Sequence, residues 1–572
     1  MNLNLAAGRD ALLQGRHGDA APLFAAQVEA NPGDHEARYW LASALMLLDP
    51  ELAEQVLGDA RTLHALAVAR TMGADLRELK TNVEYANNVA VQLYGQGMVA
   101  MASVAWGLAI AAGRTDTLTL ANYALSLQHQ GRVEEASGLY RTAAQDNAIS
   151  AVHQFSVYAE LFCEDGERRH AKEARAWASL YAKAPPPAPH PNEDLAGRKL
   201  RIGYVAPNFA GSQLRQFITP IIENHDAEAV EVVLYPTDAA TETGWPAWVQ
   251  VHPIGKLNDA DAAALIRRDG IDVLNDCWGH TAGSRLGVFA HKPAPVQAAW
   301  INFFHTTGLP QMDYVFHAAS EEQGALAGLF SETVWPLGPV FTPFRPASGR
   351  LPPVPTPARS AGEIIFGSFN HPAKLSPGMI AVWGAVLRGA PDSRLLLKYR
   401  YFADPVLQRV FQAQFAAHGV APDRLVFLGH SAGEDYFKAF QVVDLMLDSW
   451  PNPGSTTTLE ALSNGVPVLA MAGEEPSIAG LYTRTILQAA GLSDLCTTSP
   501  EGFVARALEL VEDVAELDRL RARVRPAFEA GPICDEAGFT RGLERAYAEM
   551  FERWAARDER PLVAASASGG AR

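Results

Sequence analysis

Sulfur and clustered positive charge are what this chain has least of. Its 572 residues include four cysteines, Cys163, Cys277, Cys496 and Cys534. They lie far apart, without metal-ligand spacing, which argues against a disulfide framework or a zinc ribbon. They read instead as small buried hydrophobes in a reducing compartment. Lys and Arg number 47 against 64 Asp and Glu, a formal net charge of −17. Nucleic-acid binding needs a concentrated positive field, which a chain of this balance does not supply. The basic residues are scattered, with no run suited to an anionic membrane surface. No apolar stretch nears the roughly 20 residues that span a bilayer. Residues 1–13 lack the basic start and apolar stretch of a signal peptide. The expectation is a cytoplasmic protein with no nucleic-acid partner and no membrane insertion.

A hydrophobic content of 48% with 19% charged residues fits an ordinary globular protein, and 572 residues are too many for one core. The first 183 residues are rich in Ala and Leu and carry a recurring box in which Ala follows Gly by five. It runs from Gly15 to Ala20, Gly97 to Ala102, Gly131 to Ala136 and Gly166 to Ala171. An aromatic lies four beyond the Ala in three of them, at Phe24, Trp106 and Tyr140. The last three boxes are spaced by 34 and 35 residues. That is the period of tetratricopeptide repeats, in which Gly closes a turn and Ala lets paired helices approach. Pro32 sits where such a repeat ends, and the pattern is irregular between Leu47 and Asn88. Stacked helix pairs leave a groove of the kind that binds peptides or proteins.

The stretch Ala184-Pro-Pro-Pro-Ala-Pro-His-Pro191 cannot be helical and marks a boundary. Beyond it, short apolar strands alternate with helical segments. Strands are expected at 200–206, 230–235, 273–276 and 296–301. After a Pro-rich break at 346–357, a second set follows at 364–368, 393–398, 424–428, 445–447 and 466–470. Two such blocks imply two doubly wound lobes facing each other across a cleft. The expected division is a repeat domain (1–183), a linker (184–198), a first catalytic lobe (199–358) and a second, donor-binding lobe (359–535). An amphipathic helix follows at 536–557, then a small, polar, disordered tail (558–572).

Ligands of open α/β sheets bind beyond the carboxyl ends of strands, and four segments there carry suitable chemistry. In Asp448-Ser-Trp-Pro-Asn-Pro-Gly-Ser-Thr-Thr-Thr-Leu-Glu-Ala-Leu462 a strand ends and a helix opens on Gly454, Ser455, Thr456, Thr457 and Thr458. Backbone N–H groups and hydroxyls at a helix start suit a phosphate, although an ordinary capped helix reads the same way. Glu460, in the first turns, can accept ribose hydroxyls. In Phe366-Gly-Ser-Phe-Asn-His-Pro-Ala-Lys-Leu-Ser376, Lys374 is placed to neutralise a departing phosphate, beside Asn370. The third segment is Trp278-Gly-His-Thr-Ala-Gly-Ser-Arg285, with Phe304-His-Thr-Thr-Gly308 further on. The fourth is Val205-Ala-Pro-Asn-Phe-Ala-Gly-Ser-Gln213. Asp259 and Asp261 open a helix, where acids favour the dipole, and they are rejected as a metal pair.

Taken together, these segments resemble the O-linked N-acetylglucosamine transferase family, glycosyltransferase family 41, over about 350 residues. The motifs carrying the resemblance are Gly-His-Thr-Ala-Gly-Ser-Arg, Lys-Pro-Ala-Pro-Val-Gln, Thr-Thr-Gly-Leu-Pro-x-Met-Asp-Tyr, Gly-Ser-Phe-Asn…Lys and Pro-Gly-x-Thr-Thr-x-x-Glu-Ala-Leu. The resemblance implies a metal-independent enzyme of the two-lobed GT-B fold. It places Lys374 and the Thr456–Thr457 helix start on the donor phosphates, and Glu460 on the ribose.

Several positions depart from the family. Where relatives carry Asp-Phe-x-x-His, this chain has Asn208-Phe-Ala-Gly-Ser212. The family's His beside the nucleotide base corresponds to Tyr436, and Gly473–Gly480 lacks the usual Ser-Arg pair. His305 stands where a glycine is common. Two expectations follow: an altered donor preference, and an acid–base role for His305 or His280 in a cleft shared with Asn208, Ser212, Thr306 and Thr307. By resemblance, a short repeat array and diverged centre suggest a flagellin-modifying enzyme. Such an enzyme would transfer a nonulosonic acid of pseudaminic or legionaminic type from a cytidine monophosphate donor to Ser or Thr. The alternatives are a uridine diphosphate N-acetylglucosamine-dependent transferase acting on cytoplasmic proteins, and a catalytically decayed adaptor.

Overall fold

Small residues set how closely the helices of the first third can approach. The structure is a computed structural model that describes residues 7–8, 11, 16–30, 35–45, 76–145, 149–186, 189–192, 195, 197–211, 213–238 and 242–557. Gly15, Pro32, most of the irregular stretch between Leu47 and Asn88, Ser212 and the 558–572 tail lie outside the described residues. The chain divides into two units, residues 1–130 with 401–411, and residues 131–400 with 412–572.

In the first unit, helices Val83–Gly95 and Val99–Ala111 pack against each other, followed by Thr117–Gln128. Gly97 makes the turn at φ +80°, a backbone state nearly free of cost only for glycine. Ala102, Trp106 and Phe24 are buried, as the repeat box requires. The buried Asp404 carboxylate accepts the N–H groups of Ala100 and Met101, and also those of Val406 and Leu407. One side chain therefore caps two helix starts.

The second unit opens with helices Val133–Ala144, Ser150–Ala159 and Gly166–Tyr181, with Ala136, Tyr140 and Ala171 buried. Two glycines mark where this helical part meets the α/β part. At Gly131 a Cβ would stand 2.6 Å from the Leu375 carbonyl oxygen. At Gly308, with φ +75°, it would stand 2.3 Å from the backbone of Ala174. No side chain fits at either seam.

Two all-parallel sheets follow. The first runs β3-β2-β1-β4-β5-β6-β7, with β1 Leu200–Ala206, β2 Val230–Pro236, β3 Gln250–Val251, β4 Val273–Asp276, β5 Val296–Ala299, β6 Tyr314–His317 and β7 Thr333–Pro336. The second runs β10-β9-β8-β11-β12-β13, with β8 Ile364–Ser368, β9 Ser393–Lys398, β10 Leu425–Leu428, β11 Leu445–Leu447, β12 Val468–Met471 and β13 Cys496–Thr497. The order reverses between β1 and β4, and again between β8 and β11. The four loops leaving those strands are the four segments singled out in the sequence, because a switch point is where adjoining loops part and open a crevice. A helical region followed by two Rossmann-like lobes is the fold class expected from the sequence.

Strands β3, β6, β7 and β13, of two to four residues each, were not among the expected ones. β5 stops at Ala299, short of the expected 301, where Ile301 adopts φ +81° and breaks the ladder. The final helix, Glu536–Ala555, returns to the first lobe: it packs on helix Arg215–Asn224, and the Tyr547 hydroxyl donates to Asn275 Oδ1 at 2.9 Å.

Gly308→Ala should force the Gly166–Tyr181 helix off the first lobe, since the clash is with backbone and φ is positive. The expected loss is about 3 kcal/mol or more, read as a lower thermal midpoint and faster amide exchange around Ala174. Unchanged exchange there would contradict the seam.

Candidate active site

The buried carboxylate of Asp448 stands at the end of β11 and organises everything around it. Its Oδ1 accepts the N–H groups of Ser449 at 2.8 Å and Gly454 at 2.7 Å, and the Asn370 amide at 2.9 Å. Its Oδ2 accepts the Thr458 hydroxyl at 2.9 Å. The loop between strand and helix Thr456–Ser463 is thereby wound tightly enough that a Cβ on Gly454 would lie 2.4 Å from Thr458 Oγ1. Asn370, at the end of the β8 loop, accepts the Thr457 hydroxyl through Oδ1 at 2.5 Å. Ser455 bonds the Tyr482 hydroxyl at 2.7 Å. Of the residues expected to hold the donor, Gly454, Thr458 and Asn370 thus build the cradle from behind, and Thr456 and Thr457 head the helix.

Lys374 reaches the same cradle, donating to the Pro453 carbonyl at 2.6 Å. Desolvation pulls its ammonium down to about 8, with Asp448 opposing the shift. A lysine so placed holds its charge at neutral pH only narrowly, and an arriving anion would secure it.

Beyond the helix start, the Tyr436 hydroxyl donates to Glu460. Burial raises Glu460 above the usual carboxylate range, while Tyr436 and Gln216, a residue of the first lobe, act the other way. Lys398, at the end of β9, lies over the Tyr436 ring at 5.5 Å and donates to the Gly429 carbonyl at 3.0 Å. This lysine was not picked out in the sequence, where it is simply the last residue of an apolar strand.

On the first lobe, the loop after β5 is held from every side. His317 donates to the Phe304 carbonyl at 2.8 Å, and His280 to that of Thr307 at 2.8 Å. His170 lies with Nε2 3.1 Å from the Thr306 carbonyl and Nδ1 2.9 Å from that of Val157. The Thr306 and Thr307 hydroxyls, expected to line the cleft, are instead buried and donate to Glu332. Two adjacent threonines at the end of a loop satisfy one carboxylate better than they could face water. His280 is fully buried, and desolvation lowers it to about 4. Its ring is enclosed by Trp177, His170 and Phe303, out of reach of an acceptor in this conformation.

His305 is placed differently. Its Nε2 lies 3.4 Å from Glu167 Oε1, on the Gly166–Tyr181 helix. Burial alone would raise Glu167, but His305 and the N–H groups of Ala479 and Ile478 outweigh it and hold the carboxyl below the usual range. Glu167 lay inside a repeat box and gave no sequence signal as a site residue. Phe304, next to His305, stacks on Tyr482 with centroids 4.8 Å apart, which links this loop to the Ser455 end of the cradle.

At the β1 loop, Asn208 Oδ1 accepts the Gly211 N–H at 2.5 Å. Glu242 accepts the N–H groups of Phe209 at 2.7 Å and Ala210 at 3.1 Å. The segment that departs from the family motif is therefore closed by its own turn and a neighbouring carboxylate. Asp259 is paired with Arg285 at 2.9 Å. Among the described residues no cluster of three or more His, Cys, Asp or Glu could hold a metal ion, and no helix is long and apolar enough to cross a membrane.

Comparison with known proteins agrees with this geometry. A rice (Oryza sativa subsp. japonica) protein named probable UDP-N-acetylglucosamine–peptide N-acetylglucosaminyltransferase SPINDLY is 34% identical over 398 residues, covering 66% of this chain and 42% of its own length. The Arabidopsis thaliana SEC protein, named for the same probable activity, is 27% identical, covering 73% of this chain and 44% of its own. The chain thus spans less than half the length of these curated relatives. Among solved structures, a mutant O-GlcNAc transferase of Thermobaculum terrenum superposes with a TM-score of 0.73 at 26% identity. That match covers 97% of this chain and 98% of the other. Glycosyl transferase family 41 matches residues 166–337 and 358–543. The match takes in both lobes, the Lys374 loop and the Asp448-centred cradle, and the chain belongs to this family.

Proposed function

We propose that this chain is a protein O-glycosyltransferase that moves N-acetylglucosamine from its uridine diphosphate donor to Ser or Thr hydroxyls of a protein held by the helical repeats. The observation that carries the reading is the convergence of Lys374 and the Thr456–Thr457 helix start on one cradle at a sheet switch point. The names of the relatives point to the same donor and acceptor class.

In this reading the acceptor oxygen attacks the anomeric carbon as the bond from that carbon to the diphosphate oxygen breaks. The diphosphate leaves with the bonding electron pair, met by the Lys374 ammonium and the helix N–H groups. The acceptor's proton passes to a base on the first-lobe side, and His305 is the group we assign. Glu460 takes the ribose hydroxyls once Tyr436 yields its hydrogen bond. The leaving charge is met by protein groups, so a divalent cation is not needed, and transfer is expected to persist in EDTA.

The flagellin and nonulosonate reading gains no support from the relatives. One feature keeps its donor class in the test: the Tyr436–Glu460–Lys398 cluster stands where the family resemblance leads one to expect a histidine beside the base. Calorimetry with uridine and cytidine nucleotides, and intact-mass analysis of acceptor peptides supplied with each nucleotide sugar, separate the two. Binding of uridine diphosphate and a mass gain of one N-acetylhexosamine are expected. Binding of cytidine monophosphate alone would transfer the assignment to the nonulosonate donor. No nucleotide binding at all would favour the decayed adaptor.

Lys374→Met should lower kcat/KM at least about 100-fold, the scale of roughly 3 kcal/mol for a lost charge-stabilising donor. In the wild type, uridine diphosphate affinity should fall as pH rises through about 8, where the free protein's ammonium is lost. Lys374→Met should abolish that dependence. A wild-type affinity flat from pH 7 to 9 would remove Lys374 from the phosphate site.

A further inference from the structure

The carboxylate of Glu167 is held by three groups from two separate parts of the fold. Its Oε1 accepts the Ala479 N–H at 2.9 Å and lies 3.4 Å from His305 Nε2, while its Oε2 accepts the Ile478 N–H at 3.0 Å. Both side chains are largely withdrawn from water, Glu167 at 18% and His305 at 15% exposure. A carboxylate fixed in this way cannot swing with its partner as a surface pair does. Glu167 sits on the helix that closes the repeat region, His305 on the first lobe, and Ile478 and Ala479 on the first turn of helix Ile478–Ala489 in the second lobe.

That helix also carries Tyr482, whose hydroxyl bonds Ser455 of the phosphate cradle and whose ring stacks on Phe304. The carboxylate contact and the cradle contact are thus one helical turn apart, about 5.4 Å along the axis. Other titratable groups packed near His305 are His170, with ring centroids 5.4 Å apart, and His317. Burial holds His170 well below the histidine range and lowers His317 to about 4. His317 is neutral at neutral pH, and Glu332 beneath the loop is engaged by Thr306 and Thr307. The negative charge that His305 meets directly is Glu167.

We propose that Glu167 is a positioning residue for His305: it accepts from Nε2, fixes the tautomer, and leaves Nδ1 to take the acceptor hydroxyl's proton. This rests on the glycosyl-transfer reading above. It assigns to the helix Gly166–Tyr181 a part in the reaction centre. As the acceptor oxygen bonds to the anomeric carbon and the diphosphate departs, the proton moves to Nδ1, and Glu167 stabilises the imidazolium formed.

The test compares Glu167→Gln, Glu167→Asp, His305→Ala and Glu167→Gln/His305→Ala in the full chain. Glu167→Gln should lower kcat about 10–100-fold with the donor KM within about threefold. It should also move the acid limb of the kcat profile to lower pH, because removing an anion disfavours the imidazolium. Glu167→Asp, which keeps the charge, should recover most of kcat and the wild-type pH limb. Adding His305→Ala to Glu167→Gln should cost less than threefold more if the two act as a unit. An unshifted pH limb in Glu167→Gln, equal losses in Gln and Asp, or independent additive effects would each overturn the proposal. Failure of the underlying reading shows separately, as absence of transfer by the wild type with every donor.

Discussion

Asp448 is where the second lobe's backbone changes from strand to helix, and the conformation of that turn depends on one carboxylate. Two backbone N–H groups, one amide and one hydroxyl converge on it. These bonds set the angle at which helix Thr456–Ser463 leaves the sheet and so where its free N–H groups point. They also fix Asn370, which in turn holds Thr457, and the Asp448 charge opposes the desolvation that lowers Lys374. A buried carboxylate would be unfavourable if any of these donors were missing. Satisfied by all of them, it makes the cradle rigid before any ligand arrives.

The opposite wall follows a comparable logic with different chemistry. The loop after β5 has its carbonyl oxygens met by imidazoles from three other elements and its threonine hydroxyls taken by Glu332. Gly279, at φ +59°, gives Phe303 room; a Cβ there would stand 2.2 Å from the ring. Gly308 does the same for the Gly166–Tyr181 helix. A loop with so few free polar groups has little freedom to rearrange, which is why the one imidazole held by a carboxylate rather than by a carbonyl stands apart from its neighbours.

The positions where the sequence differs from the motifs expected by resemblance are not left vacant. The Asn208 turn is closed by its own side chain and Glu242, Tyr436 is tied to Glu460 beneath Lys398, and the first turn after Gly473-Glu474 is capped by Glu167. Each departure has a local partner that satisfies the exposed N–H or carboxyl group. These contacts leave the loops around the cradle with their polar groups satisfied.

Much of this was legible in the residues. Helix spacing by Gly and Ala, the switch from a helical to a strand pattern, and the four loops beyond strand ends follow from short-range rules: steric freedom at glycine, burial of apolar faces, and the exposure of hydroxyls and lysines after strands. Lys374 and the Gly-Ser-Thr-Thr-Thr run could be read because sequence neighbours create their context. What the residues alone did not reveal is which polar side chains turn inward. Thr306, Thr307, Thr458 and His280 look like cleft residues by position, yet their hydrogen-bond partners lie on other elements and draw them into the interior. Glu167, Glu332, Lys398 and Tyr482 look ordinary in their own segments and gain meaning only across distances of 26 to 311 positions in the chain. Local sequence determined the elements and the loops between them; the tertiary structure alone decided which charges and hydroxyls meet, because burial and partnership are properties of packing between segments that are remote in the chain.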